Sequence, residues 1–286
     1  MRQKIFFWIG LILLMNNVSC ASAASSQKKQ GHNQSDHAAP SSGHEDKKNA
    51  DHGKSSAAAH QGPHWGYTGK VGPDHWGSLD KEYKSCASGK EQSPIDITGV
   101  KTQDIGNIRF HYGPSKLNIV NNGHTIQVNT DKGSSIRIDG EKYDLLQFHF
   151  HTPSEHTIEG ASYPMEMHLV HKNKKGDLAV VGLMMVVGKY NNLLEALWDN
   201  LPSAEGKENL DEKIDMSALL PAGERTFRYP GSLTTPPCSE GVKWNVLLSP
   251  ISISNEQLTA FQGIFSKNNR TIQPIRKRVI WEDTTP

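Results

Sequence analysis

Two short segments carry histidines at a spacing that could hold a metal ion. The first is residues 147–151, Gln-Phe-His-Phe-His, and the second is residues 166–171, Glu-Met-His-Leu-Val-His. Side chains of a β-strand alternate between its two faces. As strands, the first segment therefore points Gln147, His149 and His151 to one side and its two phenylalanines to a core on the other.

The second segment alternates in the same way and places Glu166, His168 and Val170 on one face. Together the two segments offer three neutral imidazoles to a single metal ion. Three histidines with the fourth position left to water is typical of catalytic zinc, whereas structural zinc sites close all four positions and usually use thiolates. The pattern therefore predicts a catalytic zinc site.

Such imidazoles need partners of their own, because burying an unpaired polar group costs free energy. Ligand histidines usually donate their second ring N–H to a carboxylate or a carbonyl oxygen. Gln147 and Glu166 each lie two residues before a histidine on the same strand face and could accept such bonds. The alternative for both is an ordinary polar residue at the surface.

The first residues have the layout of a secretory signal peptide, residues 1–23. Arg2 and Lys4 precede an apolar run, residues 5–15, and small residues follow. A retained membrane helix is the alternative, although the run is short for a bilayer. Cleavage after Ala23 would give an exported, periplasmic protein; cleavage before Cys20 with lipidation would give a lipid-anchored or outer-surface protein.

Only Cys86 and Cys238 remain in the folded part of an exported chain. In an oxidising compartment two distant cysteines favour a disulfide over a metal pair. Two unrelated buried thiols are the alternative. The 286-residue chain has a net charge of +1 and no basic stripe with interleaved aromatics, so no nucleic-acid partner is expected.

Residues 24–62 contain no aromatic or branched aliphatic side chain. Such a segment cannot bury enough apolar surface to offset its ordering entropy, so we expect a disordered tether. Its five histidines could bind metal loosely, or the segment could be a solvated spacer; they are His32, His37, His44, His52 and His60.

Residues 63–286 form the predicted catalytic domain. Short alternating runs are bounded by the turn pairs Asn122-Gly123 and Asp139-Gly140, which predicts a mainly β fold with a large, mostly antiparallel twisted sheet. A few peripheral helices are expected, at residues 191–200 and 255–265, the second capped by Ser254 or Asn255. The predicted strands are residues 118–120, 125–129, 135–138, 144–151, 166–171, 178–187 and 244–248.

The motifs taken together resemble those of the α-class carbonic anhydrases. The similar segments, in chain order, are residues 64–67, 72–76, 92–97, 121–124, 147–151, 155–156, 166–171, 231–237 and 269–273, so the resemblance covers residues 64–286. The His-Thr-Pro-Ser-Glu variant at 151–155 and the two cysteines resemble the bacterial exported branch. There the equivalent cysteines form a disulfide, which implies a Cys86–Cys238 bridge here.

The resemblance implies a zinc enzyme that reversibly hydrates carbon dioxide to bicarbonate and a proton. His149, His151 and His168 would be the zinc ligands. Thr234 would accept a hydrogen bond from the zinc-bound hydroxide and pass its own proton toward Glu155. In that family the zinc ion brings the pKa of its bound water close to neutrality.

Substrate and proton transfer have implied residues too. His124 would be the proton shuttle, since an imidazole titrates near neutral pH, and Tyr67 would help to hold the water chain. The resemblance also implies cis peptide bonds before Pro94 and Pro237. An apolar pocket for carbon dioxide would be lined by Val170, Val180, Leu233, Thr235 and Trp244.

One departure from the family is visible at Thr271, where proline often follows the arginine that Arg270 resembles, and a looser loop is expected there. Two other functions are alternatives. A catalytically silent binding module would be expected to lose a ligand or shuttle histidine, and an esterase would be a side activity of the same site. The expected partner is carbon dioxide or bicarbonate; a homodimer is a further expectation.

Overall fold

The computed structural model describes residues 63–223 and 225–285. The predicted signal peptide and tether lie outside the described residues, and the division into domains stays a prediction. The described chain forms sixteen strands: β1 Asp96–Ile97, β2 Lys101–Gln103, β3 Arg109–His111, β4 Pro114–Asn121, β5 Ile126–Asn129, β6 Ser135–Ile138, β7 Glu141–His151, β8 Thr157–Ile158, β9 Ala161–Ser162, β10 Met165–Lys172, β11 Leu178–Val187, β12 Gly206–Asp215, β13 Thr226–Ser232, β14 Glu240–Leu247, β15 Ile251–Ile253 and β16 Trp281–Asp283.

Thirteen of these strands form one large sheet, in the order β12-β4-β5-β7-β10-β11-β14-β13-β16-β2. Strand β6 pairs with β7, β3 pairs with β6, and β15 pairs with β11. A small sheet contains β1, β8 and β9. The expected fold class is confirmed: most pairs are antiparallel, although β11 runs parallel to β14 and β15, and β16 parallel to β2.

The sheet is buried on both faces near its centre, at β10 and β11. Seven successive residues of β10 are buried, because each of its two faces packs against a different hydrophobic cluster. Phe148, Phe150 and Met167 belong to the larger cluster. Val170 and Trp244 belong to a smaller cluster on the opposite face, which is the face of the histidines.

Both predicted turn pairs are turns, with different geometries. Asp139 (φ 53°) and Gly140 (φ 79°) alone connect β6 to β7, and a two-residue hairpin with positive φ at both positions matches the twist of its strands. Between β4 and β5 only Gly123 has positive φ, and Asn122 N donates to Thr125 O at 3.3 Å. This longer loop carries His124.

Four α-helices are described: α1 Trp76–Leu79, α2 Ser85–Ser88, α3 Glu195–Trp198 and α4 Asn255–Ile264. Helix α4 has the expected cap at Ser254, whose hydroxyl accepts from Gln257 N while the Gln257 side chain accepts from Ser254 N. The predicted helix at 191–200 is a 3₁₀ turn, Asn192–Leu194, followed by α3. Further 3₁₀ turns are Gly69–Val71, Pro73–His75 and Lys81–Tyr83.

Cys86 of α2 and Cys238, in the loop between β13 and β14, are bonded to each other, with their Sγ atoms 2.08 Å apart. The bridge packs beside Trp76 in a small cluster at the start of the described chain. Cis peptide bonds precede Pro94 and Pro237, as expected, and also Pro153. No helix among the described residues is long and apolar enough to cross a membrane.

Candidate metal centre

The three histidines meet because two neighbouring strands pair in one register. His168 of β10 lies directly opposite His149 of β7, and Glu166 lies opposite His151. Alternation along β7 puts His149 and His151 on the same face. Their ligand nitrogens, with that of His168, all lie within 4.8 Å of one another.

Each of these imidazoles uses one ring nitrogen to hold its orientation. His149 Nδ1 donates to Gln147 Oε1 at 2.9 Å, and His151 Nδ1 donates to the carbonyl oxygen of Asn268 at 2.7 Å. His168 Nε2 donates to Glu166 Oε1 at 2.8 Å. The nitrogens left as acceptors are therefore Nε2 of His149, Nε2 of His151 and Nδ1 of His168.

An acceptor set of this kind fits a zinc ion. The Nε2 atom of His151 is buried and has no hydrogen-bond partner among the described residues, which is costly for a lone polar atom. Neutral imidazole nitrogens are good zinc ligands, and each ring here is held by an oxygen acceptor, as ligand histidines normally are. No thiolate is available to close a fourth position, because both cysteines of the described chain are in the disulfide.

Burial favours the neutral form of all three rings, and neighbouring charges add to this effect or oppose it. It lowers the pKa of His149 well below its ordinary value, and the neighbouring histidines add to that effect. Burial also lowers the pKa of His151, against the opposing charge of Glu155. Burial alone would lower the pKa of His168 as well, but the charge and hydrogen bond of Glu166 outweigh it and raise that pKa.

Glu166 is the centre of a buried hydrogen-bond network. Its Oε1 accepts from His156 Nδ1 at 2.7 Å as well as from His168, and its Oε2 accepts from the backbone N–H groups of Glu155 and His156 at 2.9 and 2.8 Å. Burial would raise the pKa of Glu166, but the charges of His156 and His168 and these bonds hold it well below its usual range. Since both its oxygens are occupied, Glu166 acts as a support rather than a ligand.

The network continues away from the site. Tyr229 Oη donates to His156 Nε2 at 2.5 Å, and the hydroxyl of Ser93 lies 3.0 Å from Tyr229 Oη. Because His156 Nδ1–H must face the Glu166 carboxylate, its Nε2 is the acceptor. Both ring nitrogens of His156 are therefore engaged in the network, and His156 is not free to bind a metal.

Glu155 lies beside two of the three acceptor nitrogens, those of His151 and His168. Its Oε1 accepts from Arg270 N at 2.8 Å, while its Oε2 is buried without a partner in the described chain, 3.5 Å from His151 Nε2. The Arg270 guanidinium is itself buried, donating to the carbonyl oxygens of Ser93 and Cys86, and burial lowers its pKa to about 10. The loop at Arg270 and Thr271, where a looser conformation is expected from the sequence, is therefore held in place by the hydrogen bonds of Arg270.

Thr234 is buried in the loop between β13 and β14, and Thr235 is half-buried beside it. Within residues 63–223 and 225–285, no hydrogen bond joins the Thr234 hydroxyl to Glu155. The hydrogen bond from the Thr234 hydroxyl to Glu155 therefore stays a prediction. Glu155 Oε2 has no other donor among the described residues and could accept it.

The apolar residues expected to line a substrate pocket belong to one cluster. Val170, Val180 and Trp244 are buried in it, and Leu233 packs against it half-buried. The Trp244 ring lies 4.9 Å from the His168 ring, measured between centroids, and its Nε1 donates to Ser232 O. The cluster therefore reaches the metal ligands.

Tyr67 comes from the start of the described chain, where it packs edge-on against Trp65 and Trp76. Its hydroxyl is buried and has no partner among the described residues. Burial, with the nearby negative charge of Glu155, raises its pKa well above the ordinary value. Tyr67 therefore remains protonated and has a free O–H to donate.

His124 lies apart from the buried rings, in a cavity of about 400 Å³ that it shares with His64, Trp65 and Glu205. It stacks on Trp65, with ring centroids 3.6 Å apart. Burial and the charge of His64 lower the His124 pKa, while Glu205 opposes them. His124 is half-buried and its ring forms no hydrogen bond among the described residues, so it can both bind and release a proton.

Two contributors to the site are not indicated by the sequence: Asn268 and Tyr229. Asn268 fixes the His151 ring through its carbonyl oxygen, and its side chain binds Thr152 N, Phe150 O and His124 O. It follows α4 in a loop with no periodic pattern, so only the Asn-Asn-Arg sequence at 268–270 could have drawn attention to it.

Comparison with known proteins identifies the family. Residues 71–284 match the model of the eukaryotic-type carbonic anhydrases. A carbonic anhydrase of Nostoc sp. is 44% identical over 225 residues (76% of this chain, 85% of that protein), and one of Klebsiella pneumoniae is 45% identical over 223 residues (77% and 91%). The α-carbonic anhydrase of Thermovibrio ammonificans, solved with the inhibitor sulfanilamide, superposes with a TM-score of 0.76 at 44% identity, covering 77% of this chain and all of that one.

Proposed function

The chain belongs to the eukaryotic-type, or α-class, carbonic anhydrases, which hydrate carbon dioxide, and we propose that in this member the reaction depends on zinc bound by His149, His151 and His168. We further propose that His124 carries the released proton to buffer. The observation that carries the zinc proposal is the buried, unpartnered Nε2 of His151 within 4.8 Å of two other imidazole acceptors.

A bound zinc ion would supply a water molecule that loses its proton near neutral pH and attacks carbon dioxide, as in other carbonic anhydrases. The protein's part is to hold three neutral imidazoles in one orientation. Gln147, Glu166 and the Asn268 carbonyl each fix one ring by accepting its second N–H. Because these acceptors fix the tautomers, the site needs little reorganisation before the metal binds.

The apolar cluster suits the substrate. Carbon dioxide carries no net charge and hydrates weakly, so it enters an apolar pocket at little desolvation cost. Val170, Val180 and Trp244 provide such a surface beside the His168 ring. The bicarbonate product is charged, and we expect water to displace it from the same apolar surface because that surface cannot solvate an anion.

Glu155 and Thr234 are proposed to orient the attacking oxygen. The free Oε2 of Glu155 can accept the Thr234 proton, which leaves the Thr234 oxygen as an acceptor toward the reacting group. A group without a proton to donate would then be disfavoured at the attacking position. Tyr67, protonated and unpaired, can donate to a water of the proton path.

A stopped-flow assay of carbon dioxide hydration on the full chain tests the zinc proposal. The zinc-loaded protein should accelerate hydration, a chelator should remove the acceleration, and added zinc should restore it. Zinc should be found bound in the active preparation by metal analysis. Full activity in a preparation shown to contain no metal would refute the proposal.

Export to the periplasm and the state of assembly are separate proposals, resting on residues 1–23 and on expectation. N-terminal analysis of the mature protein from a cell envelope fraction distinguishes a chain beginning at Ala24 from one beginning at a lipidated Cys20. Sedimentation of the purified chain distinguishes a monomer from a homodimer.

A further inference from the structure

A second cavity, of about 600 Å³, lies away from the metal ligands, where the loop before β16 meets β13. Cavities of about 300–1,000 Å³ are typical of small-molecule sites. Four cationic side chains line this cavity, together with a single acid, Glu91; the cations are Lys90, Arg276, Lys277 and Arg278.

The protein only partly offsets the positive charge of the cavity: Glu91 lines it, and the charges of Glu91 and Glu240 act on Arg278. Lys90, Arg276 and Lys277 are exposed, and in the part of the chain that the structure describes their side chains form no ion pair or hydrogen bond. Two acids close by in sequence or space have partners of their own: Glu240 accepts from Glu91 N, and Glu282 pairs with Arg225. Like charges held together repel one another, and a bound anion would relieve that repulsion.

Arg278 differs from the other three cations because it is fixed. Its guanidinium donates to the carbonyl oxygens of Pro230, Gln92 and Pro274 at 3.0, 2.8 and 2.9 Å, and it lies 5.5 Å from the centroid of the Tyr229 ring. These bonds hold one wall of the cavity in place. Arg278 therefore contributes a permanent positive field, while the other three side chains are free to contact a ligand.

The remaining lining is apolar. Trp281 and Val279 are half-buried, and Pro230 is exposed beside them. An indole ring next to unpaired cations suits a ligand with an anionic head and a flat or compact apolar body, because the body can lie on the indole while the head meets the cations. A bare inorganic anion would leave that apolar surface in contact with water.

We propose that the cavity formed by Lys90, Arg276, Lys277 and Trp281 binds a small organic anion, whose phosphate or carboxylate head contacts the three free cations and whose apolar body covers Trp281. The site is separate from the metal centre and does not depend on the zinc proposal. It needs no metal, so its ligand should bind the full chain equally well before and after chelator treatment.

Calorimetric titration of the zinc-loaded full chain with 1-naphthyl phosphate tests the site. We expect binding of one ligand per chain, weaker binding of inorganic phosphate and of 1-naphthol, and no change on removing the metal. Titration with 1-naphthoate distinguishes a phosphate head from a carboxylate head. Binding that disappears on chelation would place the anion at the metal and overturn the proposal.

The triple variant Lys90→Gln, Arg276→Asn, Lys277→Gln localises the site. Asparagine is chosen at 276 because φ there is 56°, a left-handed conformation that asparagine tolerates. We expect affinity for 1-naphthyl phosphate to fall at least about tenfold, the loss of one charge-assisted contact.

A control variant, Lys172→Gln, Lys174→Gln, Lys189→Gln, removes the same charge from three other exposed lysines. It should bind the naphthyl phosphate as the parent does. Equal losses in both triple variants would mean that only net charge matters, and no loss in the first would mean that these cations are not the site. Either result would refute the proposal, as would the absence of measurable binding.

Discussion

The three clustered histidines and His124 contain the same imidazole, and burial lowers the pKa of His149, His151 and His124 alike, yet the hydrogen bonds of their rings differ. His149, His151 and His168 each donate one N–H to a fixed oxygen, and the nitrogens left over converge. His124 instead stacks on Trp65 beside a polar cavity and leaves its ring nitrogens without protein partners in the described chain.

The difference suits two tasks that conflict in one residue. A metal ligand must keep one tautomer, which a fixed acceptor enforces, and must offer a neutral nitrogen, which burial favours. A proton carrier must change its charge on every turnover and reorient, which the same fixed bonds would prevent. Under the proposed roles, the two tasks fall to different elements: the three clustered histidines lie on central strands, and His124 lies on a loop at the end of β4.

The largest expected effect comes from removing a ligand. His168→Ala takes away the single contribution of β10 to the acceptor set, so zinc should no longer co-purify with the chain and hydration should fall to background. Metal analysis and the stopped-flow assay measure both. The control is His111→Ala, an exposed histidine of β3; a zinc-loaded, active His168→Ala protein would refute the ligand assignment.

Removing His124 should affect turnover and leave the metal in place. His124→Ala should slow hydration in dilute buffer by about a hundredfold, the low end for general acid–base catalysis, and added imidazole should restore part of the rate. Zinc content should match the parent protein. Equal rates in dilute buffer, or a slow variant that imidazole does not rescue, would contradict the shuttle role.

Glu166→Gln tests whether the ligands need their fixed acceptors. Each oxygen of Glu166 accepts from two N–H groups, two of imidazole rings on one side and two of the backbone on the other. In a glutamine one of these oxygens becomes an NH₂ group, whose hydrogens would then face two N–H donors. Loss of such a support typically lowers metal affinity by about 10- to 100-fold. Competition with a chelator measures it.

Gln147→Ala removes a weaker support, and its loss of zinc affinity is compared with that of Glu166→Gln. Gln147 is half-buried and supports only His149, so water can replace it and the loss of zinc affinity should be smaller. A Gln147→Ala protein that loses more zinc than Glu166→Gln would contradict the importance assigned to the buried network.

His171 extends the comparison to a buried imidazole that does not belong to the group of three clustered histidines. Burial lowers its pKa to about 3; its Nε2 accepts from Tyr112 and its Nδ1 donates to Ala179 O. Because the folded pKa lies below the unfolded one, the stability is fully present above about pH 6.5 and is lost as pH falls toward 3. At pH 5 the loss is about 2 kcal/mol.

Chemical unfolding of His171→Gln measures this loss. The fall in unfolding free energy between pH 7 and pH 5 should be smaller in the variant by about that 2 kcal/mol, since glutamine does not titrate. His111→Gln, at an exposed position, should fall as the parent does. The same pH dependence in His171→Gln and in the parent would show that this ring does not contribute.

The alternation of residues predicted much of the fold around the site. The strand at 144–151 and the common face of His149 and His151 follow from a period of two, which burial imposes locally. The strand at 166–171 follows from the alternation of its residue types, although seven successive residues of β10 are buried. The register that sets His168 opposite His149 could not be read from either segment, because it depends on pairing between strands. The two segments and the family resemblance together predict the set of three histidines, but neither predicts this register.

Other parts gave no such signal. Strand β12, Gly206–Asp215, is exposed along nearly its whole length, so neither face imposes a pattern. The support of His151 by Asn268 joins residues 117 positions apart and uses a backbone oxygen, which no side-chain pattern reports. The stacking of His124 on Trp65 likewise depends on how the start of the domain folds across the β4–β5 loop.

The smallest effect should come from Glu205→Gln, which changes the surroundings of His124 but no atom of it. The Glu205 side chain packs on the Cα of Gly123 so closely that a Cβ there would lie 2.6 Å from its carboxylate, and its charge raises the His124 pKa against burial and His64. Removing that charge should therefore lower the His124 pKa further.

NMR titration of the His124 ring measures the midpoint directly, with Glu208→Gln, an exposed carboxylate of β12, as the control. A lower midpoint means that a smaller fraction of His124 is protonated at a given pH, so the ring accepts a proton from the site less readily and releases it to buffer more readily. Zinc affinity should not change, because Glu205 contacts none of the buried rings. An unchanged or raised midpoint would show that Glu205 does not set the His124 pKa, and the contrast between His124 and the three clustered histidines would then rest on their ring hydrogen bonds alone.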